Sequence, residues 1–288
     1  MNEIDVEQVQ VNGIKIEIAT AGRSGGSLPP VVLLHGFPHT WRVWTHIIPA
    51  LARTRRVLAP DLRGLGGSSR AADGYDTRTL GRDLAALLDA VGEQVVSLVA
   101  IDLGVSAAFQ FALDHPHRLD RLVLTEAVVP GLPGAESFLA GGPPWWFGFH
   151  GVPGLAESVL AGHEEEYLDF FLRAGTLGEG VDTAIHQAFV AAYSRPQSLR
   201  CAFEHYRAAP ANAELVRGQV ATARLTMPTL AIGAQPVGGA LHSQLSSVTD
   251  DLVGQVIPDC GHIIPLHRPQ ALLDVLVPFL DGHADETR

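Results

Sequence analysis

Between Val95 and Leu113 the chain carries one charged side chain, Asp102. It sits in Ala100-Ile101-Asp102-Leu103-Gly104, after the apolar run Val95-Val96-Ser97-Leu98-Val99 and before the helix-like stretch Val105 to Leu113. An ionised carboxylate is costly in apolar surroundings unless those surroundings stabilise it. A strand, a tight turn flanked by small residues and a helix form a nucleophile elbow, here with Asp where Ser is commoner. The start of the helix would favour an anion at the turn. A carboxylate presented in this way can attack an electrophilic carbon and leave an alkyl ester on the protein. The plainer reading is an Asp that caps a buried helix. The five residues alone do not choose between the two.

Three other segments bear on that choice. His35-Gly36-Phe37-Pro38 follows the strand-like Val31-Val32-Leu33-Leu34. Asp61-Leu62-Arg63-Gly64-Leu65-Gly66-Gly67-Ser68 follows Val57-Leu58-Ala59. Cys260-Gly261-His262 follows the run from Leu252 to Ile257. In this order they resemble the α/β-hydrolase fold. More narrowly, they resemble its epoxide hydrolase and dehalogenase branch, in which Asp replaces Ser as nucleophile. The resemblance runs from about Val6 to Leu280.

It implies Asp102 as nucleophile and His262 as the base that activates water against the ester. An orienting acid would fix the tautomer of the base. Many relatives carry that acid after the strand here ending at Ile232, but this chain has Gly233-Ala234-Gln235-Pro236 there. Glu126, after Leu122-Val123-Leu124-Thr125, occupies the place some relatives use instead. The oxyanion donors would be the backbone N–H groups of Leu103 and Phe37, with Gly36 allowing close approach. Opening an epoxide also needs a group to stabilise the leaving alkoxide. In Glu204-His205-Tyr206-Arg207 the resemblance points to Tyr206 as that acid. Relatives often place a His near Pro143-Pro144-Trp145-Trp146-Phe147, where this chain has tryptophans. Trp145 or Trp146, or both, are therefore expected to donate to the epoxide oxygen, since an indole N–H can donate but cannot act as a general acid. With Phe37, Leu103 and His35 they make up the expected substrate-binding set.

The residue after the nucleophile is Leu103, where haloalkane dehalogenases of this fold usually have Trp. Val105 and Ser106 stand where fluoroacetate dehalogenases carry arginines. Both departures favour a neutral epoxide, opened to a vicinal diol. The aromatic cap around Trp145, Trp146, Phe147 and Phe149 hints at a bulky, flat substrate such as an aromatic polyketide epoxide. The alternatives are a dehalogenase of the same fold and a non-catalytic small-molecule binder.

These residues need elements to bring them together. Val6 to Ala19 reads as a hairpin with its turn at Asn12-Gly13, and Gly22 to Pro30 as a loop. Strands at 31–34, 56–60, 95–101 and 118–125 then alternate with helices near 41–53, 77–91 and 105–114. Such alternation predicts a mostly parallel α/β sheet, with ligands at the strands' C-terminal ends. From Pro130 to Pro153 the chain is rich in Gly, Pro and aromatics. Stretches 157–173, 182–193 and 197–206 look helical, and strand-like runs resume at 227–232 and 252–257. The expected organisation is a core of residues 1–126 and 214–288 with a helical cap, 127–213, inserted in it. Such a lid would exclude water from the site.

The net charge of −11 argues against a nucleic-acid or anionic-membrane partner, because phosphate contacts need a basic surface. Two cysteines, Cys201 and Cys260, make no disulfide framework. The start Met1-Asn2-Glu3-Ile4-Asp5 lacks a signal-peptide pattern, and a cytoplasmic location is expected. His163-Glu164-Glu165-Glu166 reads as a solvated acidic face rather than a metal helix. No cofactor or metal is expected. The expected partner is a small-molecule epoxide, with a homodimer left open.

Overall fold

The computed structural model describes residues 4–23 and 25–282. Met1-Asn2-Glu3, part of the segment read for a signal peptide, and Ser24, in the expected loop, lie outside them. Eight strands form one sheet: β1 (Asp5–Val11), β2 (Ile14–Ala21), β3 (Val31–Leu34), β4 (Val57–Pro60), β5 (Val96–Ile101), β6 (Leu119–Thr125), β7 (Thr229–Gly233) and β8 (Leu252–Val256). Their order is β1-β2-β4-β3-β5-β6-β7-β8. The hairpin β1–β2 and the β2–β4 pair are antiparallel, and every later pairing is parallel. The hairpin turns at Asn12 and Gly13, both with positive φ, as a two-residue turn matching strand twist requires.

Register places the chemistry. Leu34 pairs with Ala100, Ile101 with Thr125, and Thr125 with Ile232. The strands β3, β5, β6 and β7 therefore end level with one another. The residues that follow, His35, Asp102, Glu126 and the 233–237 loop, share one rim of the sheet. The central strands β3 and β5 are buried at every position. That burial explains their continuous apolar runs and is characteristic of a parallel sheet covered on both faces.

The helices are α1 (Ile48–Leu51), α2 (Thr77–Ala90) and α3 (Leu103–Asp114), then α4 (Trp145–Gly151), α5 (Leu155–Leu160), α6 (Glu164–Ala174), α7 (Thr183–Tyr193), α8 (Ser198–Arg207) and α9 (Ala209–Val220), and finally α10 (Ala240–Leu245), α11 (Ile264–His267) and α12 (Pro269–Leu280). The six helices α4 to α9 form the insertion between β6 and β7.

Several expected helices take a different form. The one near 41–53 is a 3-10 turn, Trp41–Trp44, followed by α1, because Pro49 lacks the N–H needed to continue a helix and instead starts a new one. The stretch 157–173 divides into α5 and α6 at Gly162, whose φ of +82° is incompatible with a continuous helix. The Gly- and Pro-rich segment contains α4, which its composition had hidden. The helix α9 runs through Ala213, where the insertion was expected to end. No described helix is long and apolar enough to cross a membrane.

Candidate functional site

Asp102 occupies the turn between β5 and α3 with φ +56° and ψ −130°, a backbone conformation that L residues rarely adopt. Its side chain does not cap α3. One carboxylate oxygen, Oδ1, accepts the Phe37 N–H at 2.8 Å, and the other, Oδ2, lies 3.1 Å from His262 Nε2. The helix-cap reading of Asp102 is therefore replaced by one in which the carboxylate is held between the Phe37 N–H and the His262 ring. Small residues make room for this. A Cβ on Gly36 would stand 2.0 Å from Asp102 Oδ1, and one on Gly104 would stand 2.7 Å from the His35 carbonyl. The Phe37-Pro38 peptide bond is cis.

His262 lies in the loop after β8 and bridges two carboxylates. Its Nδ1 is 3.3 Å from Glu126 Oε2. Glu126 is fully buried, and its other oxygen accepts the N–H groups of Ala234 and Val237, the latter at 3.4 Å. The loop where relatives carry the acid thus supplies donors to an acid that comes from the neighbouring strand. The His262 loop is tied to the cap: Ile263 N–H donates to Gly175 O at 2.9 Å, and Gly261 packs so close that a Cβ there would be 2.4 Å from the same oxygen.

These contacts set the protonation states. Burial alone would lower the His262 pKa, but the hydrogen bonds and charges of Asp102 and Glu126 outweigh it and raise it to about 10. Burial alone would raise the Asp102 pKa, but His262 reverses this and holds the carboxyl below its usual range. At neutral pH the pair rests as carboxylate and imidazolium.

The cap places an aromatic group opposite. Tyr206, on α8, has ring neighbours Phe37 at 6.3 Å, Phe147 at 5.5 Å and His150 at 4.5 Å between centroids. Burial, and then the Asp102 charge, keep its phenol well above its ordinary pKa and so neutral. His150, on α4, is fully buried and stacks on Phe203 at 4.1 Å. Its Nε2 is 2.6 Å from the Tyr167 hydroxyl, and its Nδ1 has no protein partner. Burial lowers its pKa to about 3, so it is neutral. Burial also raises the Tyr167 pKa, so that phenol keeps its proton. In the tautomer where Tyr167 donates to Nε2, the imidazole proton sits on Nδ1, which has no other partner.

His150 was missed in the sequence because α4 was not read as a helix. Once it is, His150 stands four residues from Trp146, about one turn along the same face. Trp145 and Trp146 are placed differently from the expectation. Trp145 is 53% exposed and packs on Phe149, Phe170 and Phe171, and the ring neighbours of Trp146 are Trp145, Phe147 and Phe171. Their ring contacts are with other cap aromatics, and His150 is the cap ring nearest Tyr206.

His35 also departs from the expected substrate contact. It is fully buried, its Nδ1 donates to Gly36 O at 2.8 Å, and its Nε2 is 3.1 Å from Asp61 Oδ1. Asp61 in turn accepts the N–H groups of Trp41 and Gly67. This pair knots the turns after β3 and β4 beneath the site. Cys260 is buried with its thiol pKa raised to about 11 by burial, so it is no thiolate nucleophile. The acidic run at 163–166 is solvated, with His163 and Glu166 side chains 69% and 72% exposed. No cluster with metal-binding composition occurs among the described residues.

Residues 29–269 match the alpha/beta hydrolase fold family. The soluble epoxide hydrolase of Corynebacterium sp. (strain C12) is 31% identical over 96% of this chain and 97% of that protein. Among solved structures, Cfl2 from Burkholderia cenocepacia superposes with a TM-score of 0.88 at 33% identity, covering 96% of this chain and 95% of that one. Epoxide Hydrolase A from Mycobacterium thermoresistibile gives 0.86 at 26% identity, covering 97% and 99%.

Proposed function

Because this chain belongs to the α/β-hydrolase fold family, in its epoxide hydrolase-like branch, we propose that it is an epoxide hydrolase working through an ester on Asp102. The observation that carries this reading is the His262 ring, held between Asp102 at 3.1 Å and Glu126 at 3.3 Å.

In the first half-reaction, Asp102 Oδ2 attacks an epoxide carbon and the C–O bond of the ring breaks. Tyr206 gives its proton to the departing oxygen, while the His150 Nδ1–H donates a hydrogen bond to it. A His and Tyr pair therefore takes the place first expected of Tyr206 with Trp145 or Trp146. The tyrosinate regains its proton from the His262 imidazolium. Alkylation removes the Asp102 charge, which is one cause of the raised His262 pKa, so the ring becomes a neutral base when a base is needed.

In the second half-reaction, water bonds to Cγ of Asp102 and its proton passes to His262 Nε2. The backbone N–H groups of Phe37 and Leu103 hold the developing oxyanion. Collapse expels the diol oxygen, which takes the proton from His262. The proton left on the Asp102 carboxyl then moves to His262 and restores the resting ion pair. Glu126 keeps the imidazole oriented throughout.

The neutral His–Tyr pair suits an uncharged epoxide, and Leu103 beside the nucleophile adds an apolar wall. The cap aromatics suit a bulky or aromatic substrate. A dehalogenase would need a halide site, and the position after the nucleophile, Leu103, offers no N–H side chain for one.

The test is incubation of His262→Gln with trans-stilbene oxide, followed by digestion and mass spectrometry. An adduct on the Asp102 peptide is expected. Substrate consumed with no protein adduct would overturn the ester mechanism, and chloride release from a chloroalkane without diol from the epoxide would favour dehalogenation.

A further inference from the structure

His39 has no role in the steps above, yet it lies against the reacting groups. It is fully buried, and neither ring nitrogen has a protein partner. Buried polar atoms are almost always hydrogen-bonded, so each exception calls for a physical reason. A neutral imidazole offers one donor and one acceptor, and here both are uncommitted. The ring is nonetheless well placed. The His39 N–H donates to Gly36 O at 3.0 Å, and its carbonyl accepts the Tyr193 hydroxyl at 2.7 Å. The turn that aims the Phe37 N–H at Asp102 therefore also sets His39. Phe189 lies beside the ring at 5.7 Å, and the His262 ring lies 6.4 Å away, inclined by 27°. Of the charges that act on His39, that of Asp102 is the strongest.

Ester hydrolysis needs a water fixed in direction as well as activated. His262 contributes only Nε2 to this, because Nδ1 is committed to Glu126. One hydrogen bond leaves a water free to swing about it. We propose that His39 is the second anchor of the hydrolytic water, holding it between the two imidazoles for attack on the Asp102 ester. This role rests on the ester mechanism proposed above. One O–H of the water faces His262 Nε2 and loses its proton there as the oxygen bonds to Cγ. The other O–H donates to the unprotonated nitrogen of His39 and keeps its proton. Burial lowers the His39 pKa to about 3, so the ring accepts a hydrogen bond without becoming the base.

The experiment is single-turnover rapid quench with trans-stilbene oxide on the wild type, His39→Leu and His39→Gln, with ester formation and ester decay measured separately. His39→Leu should slow ester decay about tenfold or more, the value of one hydrogen bond, and leave ester formation within about twofold. His39→Gln, which keeps a donor and an acceptor, should recover most of the decay rate. Normal decay in His39→Leu, equal losses in both steps, or a Gln variant as slow as Leu would each overturn the proposal. A crystal structure of the wild type tests it without any variant. A water within about 3.2 Å of a His39 ring nitrogen and of His262 is expected, and a His39 ring that touches no water refutes the role. If the wild type forms no ester at all, it is the ester mechanism that fails. An ester that forms and clears normally in His39→Leu removes only His39.

Discussion

The rim of the sheet and the cap contribute different chemistry. On the rim, Asp102, Glu126 and His262 form a charged row, each held by backbone donors or by its neighbour in the row. In the cap, His150, Tyr167 and Tyr206 are kept neutral by burial, which lowers the histidine pKa to about 3 and raises those of both phenols. The rim therefore suits the proposed ester chemistry, while the neutral cap groups would not place a competing charge beside Asp102. Low dielectric has opposite consequences in the two places. It strengthens a paired charge on the rim and suppresses an unpaired one in the cap.

The sharpest way to break this comparison is to remove one member from each side. Asp102→Ala should abolish diol formation, by at least ~10⁴-fold, with no ester detectable by mass spectrometry. Residual ester on another residue would show that the row is not the seat of attack. Tyr206→Phe should slow ester formation by ~10²–10³-fold and leave ester decay nearly unchanged in a single-turnover measurement. His150→Phe should act on the same step with a smaller loss, about tenfold, as expected for a hydrogen bond without proton transfer. Equal effects of these cap variants on both steps would erase the division between the regions.

A pH profile sharpens it further. His262 must be neutral to act as base, so ester decay should rise with pH through the His262 pKa of the alkyl-enzyme. That pKa lies below the free-enzyme value of about 10, because the Asp102 charge has gone. The neutral cap groups add no titration between pH 5 and 9, so ester formation should show no ionisation from them there. The smallest effect is expected at the exposed edge of the cap. Trp145→Ala should change turnover of a small epoxide by less than about threefold, since surface changes away from the reacting groups are usually mild. A large loss would bring Trp145 back toward the epoxide oxygen.

The rim was largely legible in the sequence. Its residues directly follow apolar runs that can only be buried strands, and parallel register carries each such residue to the same edge. The Asp102 turn stood out because a lone charge in a long apolar segment needs a partner. Glu126 could be named from its place after β6, but not the donors that Ala234 and Val237 give it, because a backbone N–H leaves no mark in residue type. The cap was less legible. Glycine and proline hid α4 and with it His150, which lies one helical turn after Trp146. His35 was read as touching substrate because it borders the oxyanion loop, whereas its ring turns down to Asp61. His39 gave no signal at all, since a histidine after proline in a loop has no pattern to set it apart.

The sequence alone pointed to the order of the strands, to Asp102 and His262 as candidate nucleophile and base, and to a net negative charge. The strands and the charge follow from hydrophobic period and composition, and the two site residues from the resemblance to the α/β-hydrolase fold. Only the tertiary structure decided that His150 lies beside Tyr206 and that the buried ring of His35 meets Asp61. Several of the thirteen histidines share similar local surroundings, and what separates them is burial and the partner each ring meets across the fold. Those two quantities set protonation state and hydrogen-bond direction, and residues far apart in the chain create both.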